Sequence, residues 1–141
     1  MSKSKNKTLY IRTDGGARGN PGPAGIGAVI TDAKGAGVAE VSKYIGIATN
    51  NVAEYLAVIY ALMEAAREKA DEIVLYVDSQ LVARQLKGDY RVKDADIKKF
   101  FDIALSLLRF FKKVEINEVP REENKAADAL ANRAINLESL L

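Results

Sequence analysis

Residues 10–22, with the sequence YIRTDGGARGNPG, place strand-forming side chains directly before a segment rich in glycine. This change predicts a β-strand over residues 8–13 that ends at Asp14 and is followed by a loop. Residues 25–31 and 38–47 are predicted as the next two strands, so the first third of the chain indicates an antiparallel meander. Glycines within the second strand indicate that another backbone or a ligand approaches it closely.

Apolar residues recur with helical spacing after Asn51. The predicted inward stripe of this helix consists of Val52, Leu56, Ile59, Met63 and Ala66. Glu54 is the one charged residue between Val52 and Met63, so the helix is apolar nearly all round and is predicted to be buried.

Residues 73–77, with the sequence IVLYV, predict a central strand that is covered on both faces and ends at Asp78. Helices are predicted over residues 79–87 and 94–111, a fifth strand over 114–119 and a last helix over 123–137. The predicted inward residues are Ile97, Phe101, Ala104 and Leu108 in the second of these helices and Ala127, Leu130, Ala134 and Leu137 in the last. The element order βββαβααβα is typical of an α/β fold.

The length of 141 residues suits one domain, which we expect over residues 8–141 behind a flexible basic tail over residues 1–7. No apolar run approaches the roughly 20 residues that span a bilayer. We therefore expect a soluble, unexported, cytoplasmic monomer with no membrane partner. The net charge of +2 is too small to indicate a nucleic-acid partner by itself.

The chain contains no cysteine and no histidine. These absences exclude disulfides, thiolate zinc sites, histidine general bases and nucleophile triads with histidine. Any catalysis must use carboxylates, lysines, tyrosines, hydroxyls or a metal held by oxygen ligands.

Four acidic residues are the candidate site, although three of them have structural alternatives. Asp14 could open a glycine turn, Asp78 could cap the helix that follows it, and Asp128 could lie on a solvated helix face. Glu54 is harder to explain structurally, because an unpaired carboxylate on a buried helix costs several kcal/mol. Asp14 and Asp78 both follow apolar strands, and strand ends are where α/β sheets bind ligands.

A cluster of these carboxylates would require cations. Two carboxylates about 4 Å apart repel by roughly 4 kcal/mol at an effective dielectric constant of 20. Hard divalent ions take oxygen ligands and complete their shell with phosphate, and two such ions can drive phosphodiester cleavage without histidine or cysteine.

The stretch over residues 10–22 resembles the opening signature of the type 1 ribonuclease H family. Three further segments match the family in order: residues 49–54 (TNNVAE), 78–80 (DSQ) and 124–131 (NKAADALA). The resemblance covers almost the whole chain, from about residue 8 to residue 136. It implies the ribonuclease H fold, a five-stranded mixed sheet with three antiparallel and two parallel strands, flanked by helices.

The resemblance also implies an activity, which is endonucleolytic hydrolysis of the RNA strand in RNA/DNA hybrids to 5′-phosphate and 3′-hydroxyl ends. Double-stranded RNA is a second candidate duplex. Two Mg²⁺ or Mn²⁺ ions are expected on four carboxylates, Asp14, Glu54, Asp78 and Asp128. Contacts to the hybrid are expected from Gly15, Asn20, Asn50 and Asn51, and from Thr49 at a DNA phosphate; for Asn50 and Asn51, helix capping is the structural alternative.

Two departures from the family pattern concern how the substrate is held. Many members carry a histidine in the loop before the last helix, where this chain has Arg121, and we expect Arg121 to stabilise charge at the scissile phosphate. The basic protrusion of some members is also missing, which leaves Lys87, Arg91 and Lys93 as candidates for DNA backbone contacts. A non-catalytic module that binds hybrid or double-stranded RNA is the alternative function, because a fold does not guarantee activity.

Overall fold

The computed structural model describes residues 6–141 and contains one five-stranded mixed sheet. Its strands are β1 (Thr8–Ala17), β2 (Gly22–Thr31), β3 (Gly37–Ala48), β4 (Glu72–Val77) and β5 (Lys113–Glu118), in the spatial order β3-β2-β1-β4-β5. β1 and β3 each pair with β2 in antiparallel orientation, whereas β4 lies parallel to both β1 and β5. The predicted mixed sheet and element order are confirmed.

The helices are α1 (Asn50–Arg67), α2 (Gln80–Lys87), α3 (Ala95–Leu108) and α4 (Lys125–Glu138), and a short 3₁₀ turn over Arg121–Glu123 precedes α4. α1 and α4 lie on opposite faces of the sheet. Gly15 of β1 packs against the backbone of α1, whereas Gly25 and Gly27 of β2 pack against the backbone of α4. Because Gly27 pairs with Asp14 and side chains alternate along a strand, Asp14 points towards the face that α4 covers.

β1 extends four residues beyond its predicted end, through Ala17. The expectation that Asp14 lies after the strand was therefore wrong. The two glycines that suggested a turn lie inside the strand, and Gly15 is needed there because a Cβ would overlap the carbonyl of Ala53. In the same way, the close approach predicted for β2 is confirmed, since a Cβ on Gly25 would lie 2.5 Å from the carbonyl oxygen of Ala131.

The inward faces of two helices differ from their predictions. Met63 of α1 is 51% exposed and Leu137 of α4 is 52% exposed. α4 buries mostly small residues, namely Ala127, Ala131 and Ala134, and its backbone lies against Gly25 and Gly27 of β2. α1 buries alanines together with large side chains such as Tyr55 and Leu62, so its inward face is set by which residues point at the sheet and not by their size.

The central strand β4 is buried on one face and half-buried on the other, so complete burial of both faces was not correct. On the less buried face, the guanidinium of Arg12 lies 4.3 Å from the centre of the Tyr76 ring. The guanidinium therefore covers part of the aromatic ring on this face in a cation–π contact.

Residues 6 and 7 are hydrogen-bonded to the start of β4, at the opposite end of the sheet from Asp14 and Asp78. The backbone N–H of Lys7 donates to Asp71 (2.8 Å), and the amide of Asn6 donates to Glu72 (3.0 Å). Residues 1–5 of the predicted tail lie outside the described residues. Within residues 6–141, no helix has the length and apolar character that a membrane crossing requires.

Candidate active site

Asp14 and Asp78 are brought together by the parallel pairing of β1 with β4. The last residues in register are Thr13 and Val77, so the two aspartates follow on neighbouring strands at the same end of the sheet. This adjacency is the strand-end arrangement predicted from the sequence, although β1 itself continues beyond Asp14.

Glu54 reaches the same place from the first turns of α1. The backbone N–H of Gly15 donates to its Oε1 at 2.6 Å. One carboxylate oxygen each from Asp14, Glu54 and Asp78 lies within 4.8 Å of the other two. The three carboxylates therefore form one compact cluster where β1, β4 and α1 meet.

Asp128 lies at the edge of this cluster. It is exposed in the first turn of α4 and is within hydrogen-bonding reach of Asp14. α4 is held there by its close packing on β2, where the backbone of Ala127 fills the space beside Gly27. The structure thus gathers the four predicted acids, three tightly and the fourth at the rim.

Burial and mutual repulsion make these carboxylates hard to ionise together. Burial, then the charge of Asp78, raises the pKa of Asp14 from 3.8 to about 7. Burial and the charges of Asp14 and Asp78 raise the pKa of Glu54 well above its usual value, and the Gly15 N–H opposes this only in part.

The cluster has the ligands of a hard divalent cation. Its donors are carboxylate oxygens, and within residues 6–141 none of the ion pairs involves any of the four acids. A bound Mg²⁺ or Mn²⁺ would supply the missing positive charge, so the residues fit such an ion.

The structural alternatives for two predicted residue groups are excluded. Ser79, not Asp78, caps α2 by accepting from the N–H of Val82 (3.2 Å). Thr49 caps α1 by accepting from the N–H of Val52 (3.2 Å), so neither Asn50 nor Asn51 has that role.

The amides form a connected set beside the cluster. Asn20 accepts from the backbone N–H of Asn50 (3.0 Å), and Asn50 accepts from the backbone N–H of Ala17 (2.8 Å). Because both side-chain oxygens are occupied, the NH₂ groups of Asn20 and Asn50 are the parts available to a ligand. The N–H of Gly15, another predicted contact, is engaged with Glu54.

A groove of about 460 Å³ joins the carboxylate cluster to Asn50 and Asn51, whereas the predicted contacts Asn20 and Thr49 are not among its lining residues. Arg121 lines it, and the exposed side chain of this residue is the one cation among the lining residues. The lining also includes the four acids, Asn50, Asn51, Ser79, Gln80 and Asn132. Lys87, Arg91 and Lys93 are exposed but are not among the lining residues.

Asn124 is a site residue that the sequence reasoning missed. It is buried and donates to Asp78 Oδ2 at 2.8 Å. It stands four residues before Asp128 inside a matched segment, which was a usable signal, but an asparagine before a helix is ordinarily explained as a cap.

Residues 12–134 match the protein family described as reverse transcriptase-like. A ribonuclease H of Dechloromonas aromatica is 32% identical over 145 aligned residues, and the alignment covers 92% of this chain and 94% of that protein. The chain belongs to the ribonuclease H family. The resemblance found in its motifs is thereby confirmed.

Two relatives with higher sequence identity to this chain are longer proteins. Ribonuclease HI of Halobacterium salinarum is 48% identical over 91% of the chain, which spans 64% of that protein. A bifunctional protein of Mycobacterium tuberculosis is 45% identical over 91% of the chain, which spans 35% of its length.

Solved ribonuclease H structures have the same architecture. The crystal structure of ribonuclease H1 from Halobacterium salinarum matches with a TM-score of 0.89 and 46% identity, over 92% of this chain and 98% of that chain. A structure of LC11-RNase H1 in complex with an RNA/DNA hybrid matches with a TM-score of 0.85 and 45% identity, over 94% and 99% of the two chains.

Proposed function

We propose that this chain is an endoribonuclease that hydrolyses the RNA strand of RNA/DNA hybrids and leaves 5′-phosphate and 3′-hydroxyl ends. The observation that carries this proposal is the half-buried cluster of Asp14, Glu54 and Asp78, which has no cationic partner among the described residues. A site that only bound a polyanion would be weakened by such carboxylates.

The four acids hold the metal. Asp14, Glu54, Asp78 and Asp128 provide oxygen ligands for two Mg²⁺ or Mn²⁺ ions, with Asp128 completing the set from the rim. When bound, such ions supply activation of a water and stabilisation of the leaving oxygen in an in-line phosphodiester cleavage. Without metal the pKa values of Asp14 and Glu54 are raised, and the positive charge of bound ions would favour the ionised form of both carboxylates.

The amides and Thr49 hold the substrate. The free NH₂ groups of Asn20 and Asn50, together with the exposed Asn51, donate to acceptors in the minor groove, where 2′-hydroxyls distinguish RNA from DNA. Thr49 accepts the cap hydrogen bond through Oγ1, so its hydroxyl proton is available to a DNA phosphate. The hybrid bound by the similar LC11 protein supports this class of substrate.

Residues 8–141 act on one duplex as a single monomeric domain in the cytoplasm. RNA/DNA hybrid is the primary substrate and double-stranded RNA the second. Gly15 serves the substrate site indirectly, because its N–H holds Glu54.

The test uses labelled RNA/DNA hybrid, double-stranded RNA, single-stranded RNA and DNA, each with Mg²⁺, Mn²⁺ or EDTA. We expect metal-dependent cleavage of the RNA strand of the hybrid, abolished by Asp78→Asn. Tight hybrid binding without cleavage in either metal would overturn the proposal in favour of a binding module.

A further inference from the structure

Asn124 occupies a junction between three parts of the site. It follows the 3₁₀ turn and directly precedes α4, and its side chain is only 1% exposed. Its side chain makes no capping hydrogen bond to α4. The usual reason for an asparagine at this position is therefore absent.

The NH₂ group of Asn124 instead makes two hydrogen bonds away from its own helix. It donates to the backbone carbonyl of Thr13 at 2.7 Å and to Oδ2 of Asp78 at 2.8 Å. Both partners accept and cannot donate, so a rotated amide would put oxygen against oxygen. The orientation of the side chain is fixed by these two partners.

The carbonyl oxygen of the Asn124 amide shows that this orientation of the side chain costs free energy. Oδ1 of Asn124 is buried and has no hydrogen-bond partner among the described residues. A buried acceptor without a partner is unfavourable, and an apolar side chain of the same shape would avoid the penalty. The amide is thus explained by what its NH₂ group holds.

We propose that Asn124 is a positioning residue for the metal site, a conclusion that rests on the proposed function. It fixes Oδ2 of Asp78 and leaves Oδ1 for a cation. Through Thr13 it also fastens the start of α4 to the end of the β1–β4 pair, which sets where Asp128 stands relative to Asp14. Because Asn124 is only 1% exposed, it acts through Asp78 and Thr13 and not by contact with substrate.

The test compares Asn124→Leu, which keeps the number and branching of the side-chain heavy atoms but removes the NH₂ donors, with Gln85→Leu. Gln85 is a buried amide outside the metal site, and it accepts from the Tyr55 hydroxyl at 2.5 Å. We expect Asn124→Leu to weaken Mg²⁺ binding, measured by calorimetry without substrate, by about 10- to 100-fold. Gln85→Leu should bind Mg²⁺ like the unmodified protein, even where its stability falls.

Kinetics and binding separate positioning from general damage. In Asn124→Leu, kcat at fixed low Mg²⁺ should fall, whereas the Kd for hybrid in EDTA should change less than about twofold, because substrate contacts are intact. Unchanged Mg²⁺ affinity in a folded Asn124→Leu would overturn the inference. Failure of the unmodified protein to cleave hybrid would overturn the proposed function but not this comparison of metal affinities.

A measurement on the unmodified protein applies if Asn124→Leu does not fold. The side-chain NH₂ signals of Asn124 should shift in ¹⁵N–¹H spectra as Mg²⁺ is added, because the acceptor Asp78 gains a ligand. The NH₂ signals of Gln85 should not shift. Asn124 signals that stay unchanged through Mg²⁺ saturation would contradict the proposed role.

Discussion

The backbone N–H of Gly15 donates a 2.6 Å hydrogen bond to Oε1 of Glu54 and so joins β1 to α1 at the carboxylate cluster. The same glycine lies against the carbonyl of Ala53, where a Cβ would overlap it. The absence of a side chain at Gly15 thus permits the close backbone contact between β1 and α1, and this contact places the carboxylate of Glu54.

Gly15→Ala should separate α1 from β1 and move Glu54 away from the other acids. Hybrid cleavage is expected to fall on the order of 100-fold, the typical cost of misplacing a reacting group by about 1 Å. Mg²⁺ affinity should weaken with it. The matched change is Gly16→Ala, since a Cβ there meets only Asn50 Oδ1 at 3.9 Å; it should leave Mg²⁺ affinity unchanged. Equal effects of the two substitutions would contradict this explanation.

Gly27→Ala tests the seating of α4. A Cβ on Gly27 would overlap the carbonyl of Ala127 and lie 2.8 Å from Cβ of Leu130, so α4 must shift. Overpacking of this kind costs about 1–3 kcal/mol of unfolding free energy, which urea denaturation measures. Gly37→Ala, which has open space around it, is the control and should be nearly neutral.

Lys69 ends α1 in the left-handed conformation, with φ of 61°. Its N–H donates to the carbonyl of Ala66, in the position that glycine usually occupies after a helix. Lys69→Gly should raise the unfolding free energy by about 1 kcal/mol, because glycine has no Cβ penalty there. Hybrid cleavage should not change, and a loss of stability would show that the lysine side chain matters more than its backbone strain.

Element order and the acidic cluster were predictable because they depend on local patterns. The alternation of apolar strands, the helical period after Asn51 and the acids at strand ends all appear within short windows of sequence. Glu54 stood out because a charge on an otherwise apolar helix requires an explanation. The structure supplies one in the nearby Asp14 and Asp78.

What the sequence did not reveal depends on how closely elements pack. The helical period favoured Met63 as an inward residue, yet α1 buries the neighbouring Leu62 and leaves Met63 51% exposed. Close packing of α1 on β1 hid the true end of β1, since it requires Gly15 inside the strand, where Gly15 and Gly16 have the composition of a turn. Asn124 was missed because its partner Asp78 lies 46 residues away.

Without metal, the free energy of unfolding should depend on pH because the carboxylate cluster binds protons when the chain folds. The pKa of Asp14 is raised in the folded protein from 3.8 to about 7, and that of Glu54 is raised as well. Folding therefore binds protons, so the contribution to stability is complete below pH 3.8 and is lost as pH rises through 7. At about 1.4 kcal/mol per pK unit, the loss is on the order of a few kcal/mol.

The measurement is the unfolding free energy in EDTA from pH 4 to pH 8. It should fall with rising pH, and Mg²⁺ should restore much of the loss at pH 8 because it binds the ionised carboxylates. The chain has no histidine to titrate in this window. Asp14→Asn should flatten the curve; an unfolding free energy that rises from pH 5 to pH 8 in EDTA would contradict the prediction.

Arg121 gives the groove a positive charge and a planar set of N–H donors. If it stabilises charge on the scissile phosphate, Arg121→Ala should lower kcat on hybrid by on the order of 10- to 100-fold, the range seen when a donor to developing charge is removed. Arg121→Lys should retain part of the rate, because it keeps the charge but loses the planar pair of donors. Arg109→Ala, an exposed arginine at the end of α3, is the control for loss of charge alone. If Arg121→Ala and the unmodified protein cleave with the same kinetics, Arg121 does not stabilise charge at the scissile phosphate.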